Sequence, residues 1–211
     1  MHRAVTTLYW IALVAWIASL VATAATAMAA FTALPALGVA VPSAALVYPG
    51  ADDASSRFAA GFVAQRVFDA ADRVALLALP ALAVTMLLQA SFFRWPERSW
   101  ANRARVACIV AAILLETLHL VILAPRMATT LADYRSAVMQ GDASSAAAHK
   151  AVFERDHVKA DPLLRATMVL LVLGLAASAW VMTPRVPGGR GEIQAPRLFG
   201  TRTGSRSGRR S

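Results

Sequence analysis

The sequence predicts an all-α integral membrane protein, a four-helix bundle with amphipathic interfacial helices in its two outer connections, and three observations predict it. The 211-residue chain is 58% hydrophobic and only 16% charged, with a mean hydropathy of +0.54, which is too apolar for an ordinary soluble domain. Its apolar residues gather into four runs, about 8–30, 74–93, 106–124 and 163–183, each close to the roughly 20 residues that a helix needs to cross the hydrocarbon core. The charge lies between and after these runs, with one exception in the third.

That third run, Val106 to Ala124, organises the rest. It is nineteen residues without Gly, Pro, Lys or Arg, roughly 28 Å of helix at about 1.5 Å per residue. Near its middle stand Glu116 and, one turn on along the same face, His119. An ionised side chain at the centre of a span costs about 3 kcal/mol, and each Leu, Ile, Val or Phe returns roughly 0.3 to 0.6 kcal/mol. The eleven Leu, Ile and Val of the run therefore outweigh the pair only modestly, so the polar face must turn toward other helices.

In chain order, a short leader with His2 and Arg3 precedes the first run, Leu8 to about Ala30. Tyr9, Trp10 and Trp16 suit a headgroup boundary. A charged start and the small residues Ala25 to Ala29 also match a secretory signal. The apolar character continues past Ala30 to Val41, which favours a retained first span. Leu34 to Gly50 then carries Pro35, Pro42, Pro49, Gly38 and Gly50, a bent connection that breaks the helix. Asp52, Asp53, Ser55 and Ser56 offer caps for the next one.

From Arg57 an amphipathic pattern sets Phe58, Phe62, Val63, Val67 and Phe68 against Gln65, Arg66, Asp69, Asp72 and Arg73. It should run straight into the second span, Val74 to Phe93, where Pro80 predicts a kink. Thr85 and Gln89 are there to hydrogen-bond a neighbouring span. Arg94 to Arg105 holds four arginines against Glu97, and short loops rich in arginine stay cytoplasmic.

The third span should end at Pro125-Arg126. The connection after it balances five basic residues with five acids and holds a second amphipathic helix capped by Ser144 or Ser145. Asp161-Pro162 reads as the start of the fourth span, Leu163 to Thr183. Gly174, Ala176, Ala177 and Ser178 give that span a small-residue face.

Two regions result, a membrane domain over 1–183 and a tail over 184–211. The tail has seven arginines and one acid among Gly, Pro and Ser, a composition that predicts disorder. Most of the net charge of +9 sits in this tail and the short arginine loop, so it reads as topology: a cell (inner) membrane protein with both termini cytoplasmic. Trp95, Trp100 and Trp180 then fall at the same interface as Trp10. Arg197, Arg202, Arg206, Arg209 and Arg210 would anchor the tail to anionic headgroups, each contributing about 1 kcal/mol near the surface. Phe199 is the tail's only aromatic, which argues against nucleic acid as the partner.

FTALPAL (Phe31 to Leu37), AAGFVAQRVF (Ala59 to Phe68), the helix ending APRM (Ala124 to Met127), and Phe153 followed by His157 together resemble the transmembrane protein 205-like family. That resemblance covers most of Leu8 to Thr183 and none of the tail. It implies a four-pass architecture of unassigned molecular function. Where members carry a Leu before the histidine and a Ser a turn later, this chain has Asp156 and Asp161, which weakens any shared role for His157.

Glu116 and His119 are the sharpest candidates for function, because an ionisable residue inside a span is costly to keep. The structural reading is a neutral Glu116 bonded to Thr85, Ser19 or another helix; the functional reading is a proton or ion relay through His119. Arg66, Asp69, Asp72 and Arg73 form a candidate outer polar mouth, which Arg126 joins if the helix continues through Pro125. Glu154 and His157 repeat the Glu-x-x-His spacing known from bundle metal sites. Their depth differs, however: Glu116 lies about 12 Å inside its helix end and Glu154 about 13 Å the other way, whereas ligands of one metal lie within about 2 to 2.6 Å of it. Glu154 and His157 therefore read as a solvated face.

The single cysteine, Cys108, excludes an intrachain disulfide and a cysteine metal site. No phosphate loop, nucleophile elbow or zinc-protease motif occurs, so no catalytic, cofactor or metal site is predicted. The leading expectation is a non-enzymatic membrane protein acting through lipid, a membrane protein partner or a second copy of itself. A small proton- or ion-coupled carrier using Glu116 and His119 is the alternative, and a membrane-embedded enzyme a third.

Overall fold

The computed structural model describes residues 2–50, 53–92 and 100–182; the tail arginines, Arg94, Glu97, Arg98, Trp95 and Asp52 lie outside the described residues. Six α-helices and one π-helical turn make up the described chain: α1 (His2–Ala36), α2 (Pro42–Val47), α3 (Ala54–Phe92), α4 (Trp100–Leu118), a π segment (His119–Leu123), α5 (Ala124–Met139) and α6 (Ala143–Met182). Four continuous stretches, α1, α3, α4 through α5, and α6, are long and apolar enough to cross a membrane. The fold is that of a multi-pass membrane helical bundle.

These helices are longer than a bilayer requires. α3 has 39 residues and α6 has 40, roughly 60 Å at about 1.5 Å per residue, against a hydrocarbon core of about 30 Å. In α3 every charge precedes Val74, and in α6 none follows Arg165. Each helix is thus half apolar and half polar. The apolar halves lie side by side at the end where α1 begins: Tyr9 there meets Ser178 near the end of α6 at 2.5 Å, and Arg105 near the start of α4 reaches Gln89 near the end of α3 at 3.1 Å. Helix α1 packs along α3. Gly174 lets α6 approach α4 so closely that a Cβ on it would stand 3.0 Å from Ile109 Cγ1.

At the opposite end, the polar halves are closed by a small core. Ala44 and Val47 of α2, Phe58 of α3, Ala137 and Val138 of α5 and Ala146 of α6 pack together. Pro42 opens α2 in its first turn, and the Ser55 hydroxyl both accepts from the Val41 N–H and donates to the Val41 carbonyl, pinning the α1–α2 connection onto α3. Gly141 ends α5 in the left-handed region at φ 74°. Its N–H donates to Val138 and that of Asp142 to Ala137, both through backbone carbonyls, a glycine-ended helix stop.

Several sequence expectations are corrected here. Ser144 and Ser145 do not cap α6; Asp142 does, accepting from the Ser145 N–H at 3.0 Å and its hydroxyl at 2.6 Å. Those bonds, the hydroxyl's first, hold the exposed Asp142 carboxyl below the usual aspartate range. The second amphipathic segment is not a separate helix, because it is continuous with the fourth span in α6, whereas the first runs straight into the second span in α3 as its pattern predicts. Pro162 starts nothing: it lies inside α6, where bracketing pairs Lys159–Asp156 at 3.3 Å and Arg165–Asp161 at 2.9 Å support the turn that lacks one backbone bond. Pro125 does not end the third span either. The chain widens into the π segment, with the Ala124 N–H donating to the His119 carbonyl, and Pro125 then sits in the first turn of α5, where its missing N–H does no harm.

Candidate functional site

The polar halves enclose a cleft of about 550 Å³ between α3, α5 and α6, with Phe31 of α1 at its side and His119 among its lining residues. The heptad-like spacing of α3 places Phe58, Gln65, Phe68, Asp69 and Asp72 on the wall, because residues three and four apart share a helix face. Tyr134 and Arg135 come from α5, and Phe153, Glu154 and His157 from α6.

Asp72 and His119 meet at the floor, with Asp72 Oδ1 at 3.9 Å from His119 Nε2. Glu116 lies one helical turn deeper, only 1% exposed; it feels the charge of Asp72, which in turn feels that of Asp69. Neither Glu116 Oε2 nor His119 Nδ1 has a hydrogen-bond partner among the described residues. The partners expected for Glu116 are spent elsewhere: Thr85 donates to the Ala81 carbonyl at 2.7 Å and Ser19 to that of Trp16 at 2.8 Å. Both hydroxyls bond their own helices, as Ser and Thr inside helices commonly do. The π turn opens at His119 itself, and such turns recur where a helix presents a functional side chain.

The cleft lining brings together part of the predicted mouth. Asp69 and Asp72 line it, whereas Arg66 and Arg73 are exposed away from it. Arg126 does not join. The helix continues through Pro125, but the extra residue in the π turn rotates the helix beyond it by about 100°, and Arg126 points to Asp156 at 3.7 Å. Glu154 and His157 are both exposed, as a solvated face requires, and stand on the rim of the cleft; His157 stacks on Phe153 at 5.7 Å.

The rim's basic groups are engaged. Arg57 pairs with Asp53 at 2.6 Å and Lys150 with Glu154 at 3.7 Å. Arg135 donates to Gln65 Oε1 and to the Gly61 carbonyl and lies over the Phe62 ring at 4.0 Å.

A second polar layer, of which the sequence indicated only Gln89 as a partner for a neighbouring span, lies at the far end of the bundle. Arg105, expected in a cytoplasmic loop, is 1% exposed and has its guanidinium over the Tyr9 ring at 5.3 Å. Tyr9 and Trp16, expected at a headgroup boundary, are fully buried. Between this layer and Glu116 the interior is filled by Leu13, Trp16, Leu82, Ile109, Ala112 and Leu171, all fully buried, together with Thr85, whose hydroxyl is spent on its own helix. Arg105 and Glu116 are eleven residues apart, about 16 Å along the helix, so an apolar layer separates the two polar ones. The only sequence signal for Arg105 was its place directly before an unbroken apolar run.

Among the described residues no group of three or more His, Cys, Asp or Glu is arranged to hold a metal ion. No protein-family model matches the chain, and no curated protein or solved structure gives a significant match.

Proposed function

We propose that this chain is a non-enzymatic membrane protein that acts by binding, with the polar cleft as its binding surface. The observation that carries the reading is the blind end of the cleft: it reaches Asp72 and His119 and meets the apolar layer beneath Glu116. A site open to one side and backed by packed Leu, Ile and Trp suits capture of a ligand or a partner segment better than conduction. Arginine and tryptophan support the orientation, with the cleft facing away from the cytoplasm of a cell (inner) membrane. Trp100 and Trp180 are exposed at the opposite end, and Arg103 comes soon after Trp100 there. The tail arginines, on this reading, hold anionic lipid on the cytoplasmic face. The resemblance to the transmembrane protein 205-like family implies the same architecture and assigns no chemistry.

The test is photo-crosslinking in native membranes from a benzophenone side chain at position 153, on the cleft, against one at position 87, where Leu87 is exposed on the apolar half of α3. The reading expects a discrete lipid or protein adduct from 153 and only bulk lipid from 87. The same products from both positions would overturn it.

The carrier reading is favoured by one observation, the run of Asp72, His119 and Glu116 toward the centre of the bundle with an unpartnered oxygen at its end. Cation or proton flux in proteoliposomes that disappears in Glu116→Gln is its signature.

A further inference from the structure

Resting on the binding reading, the juxtaposition of the Asp72 carboxyl at the floor, which no arginine or lysine pairs, with aromatic walls assigns the ligand's chemistry: we infer that the cleft takes a protonated organic amine carrying an apolar, ring-sized body. The floor supplies the acid. Asp69 and Asp72 line the cleft and Glu116 lies beneath it, and His119 is the only basic group within 4.0 Å of Asp72 among the described residues. Arg57 and Lys150 are held by their own acids, and Arg135, bonded to Gln65 and Gly61, faces the charge of Asp69, so no rim base pairs with Asp72.

The independent observation is the lack of partners. His119 lines the cleft floor at 6% exposure, and its Nδ1 has no hydrogen-bond partner among the described residues. Buried polar atoms are ordinarily satisfied, so with Nε2 turned to Asp72 the imidazole at the floor is one bond short, and an ammonium N–H supplies a charge-assisted donor to the Asp72–His119 pair.

The walls supply the rest. Phe58, Phe68, Phe153 and Tyr134 line the same cleft, and aromatic faces attract organic cations while packing their apolar bodies. A bare metal ion would find few oxygen ligands among these rings. The volume of about 550 Å³ lies in the range of sites for molecules of drug-like size.

Binding is measured on the full chain in zwitterionic phosphatidylcholine nanodiscs, which offer no anionic lipid to compete for the cation. The probes are 1-naphthylmethylamine, its neutral analogue 1-naphthylmethanol and the anion 1-naphthoate. Saturable binding of the amine is expected, at least about tenfold tighter than the alcohol, with the carboxylate not bound. Asp72→Asn should remove that preference and Phe68→Leu should weaken the amine with the fold kept, while Thr117→Ala, on an exposed face, changes nothing. If Asp72→Asn fails to fold, Asp69→Asn and Phe68→Leu carry the test.

Equal binding of amine and alcohol, or an amine preference that survives these variants, overturns the assignment. If none of the probes binds while the crosslink from position 153 persists, the cation assignment falls and the binding reading stands. If both are lost, both fall.

Discussion

The imidazole of His119 and the carboxylate of Asp72 stand 3.9 Å apart at the level where the polar halves of the helices give way to the apolar ones. Asp72 is the last acid before the second apolar run, and His119 opens the π turn in the third. The pair marks the bottom of the cleft, and Glu116 lies beneath it without a partner for Oε2.

Glu116→Gln should therefore fold. Replacing a buried carboxyl by an amide of the same shape removes the cost of a charge with no added void. Its melting temperature in detergent is expected at or above that of the wild type. In a deletion strain it should not restore the lost phenotype; full rescue would remove Glu116 from function.

Arg105 is expected to matter for stability. Arg105→Ala leaves the buried Gln89 carbonyl oxygen without its donor and strips the cation from the Tyr9 ring, a loss of about 1 to 3 kcal/mol. Arg105→Lys should recover part of it, because an ammonium keeps the charge and loses the planar fork. Equilibrium unfolding in mixed micelles measures both. Wild-type stability in the alanine variant would mean that the layer is not built as described.

At Gly174, space decides the outcome. A methyl there meets Ile109 Cγ1 at 3.0 Å, so Gly174→Ala forces α4 and α6 apart and Gly174→Val does so further, by about 1 to 3 kcal/mol. A double-mutant cycle with Ile109→Ala should show favourable coupling as room is returned. Strict additivity would count against the close approach of the two helices.

The α6 cap is expected to be sensitive to acid. Asp142 is held below its ordinary value by Ser145, so the folded state favours the carboxylate. The cap's contribution is complete above the unfolded aspartate value of about 4 and is lost as the pH falls through the lower folded value. The stability difference between wild type and Asp142→Ala should accordingly be largest near neutrality and shrink as the solution is acidified below about pH 4. A difference independent of pH would mean that the carboxylate is not the cap.

The spans were legible in the sequence because lipid demands long apolar runs, and Val74 to Phe93 or Val106 to Ala124 satisfy that demand without reference to any other residue. Prolines misled for the opposite reason. Pro125 and Pro162 are poor helix residues locally, yet a π turn accommodates the first and a packed bundle with flanking ion pairs accommodates the second. Arg105 was read from loop statistics, whereas burial depends on Tyr9 and Gln89 arriving from other helices. Asp69, Asp72 and His119 could be singled out one by one, but the cleft that joins them is made by α1, α3, α5 and α6 together. No window of sequence contains it. The tail arginines and the residues 93–99 lie outside the described chain.

The central claim is a cleft that opens to one side, reaches Asp72 and stops above an apolar layer. Thiol labelling tests it most directly, with Cys108 replaced by alanine and single cysteines placed at Asp72 or Ala112 in membranes sealed with the cleft side outward. A membrane-impermeant maleimide is expected to modify the cysteine at 72 and leave that at 112 untouched. Equal labelling at both positions, or none at 72, would contradict the account.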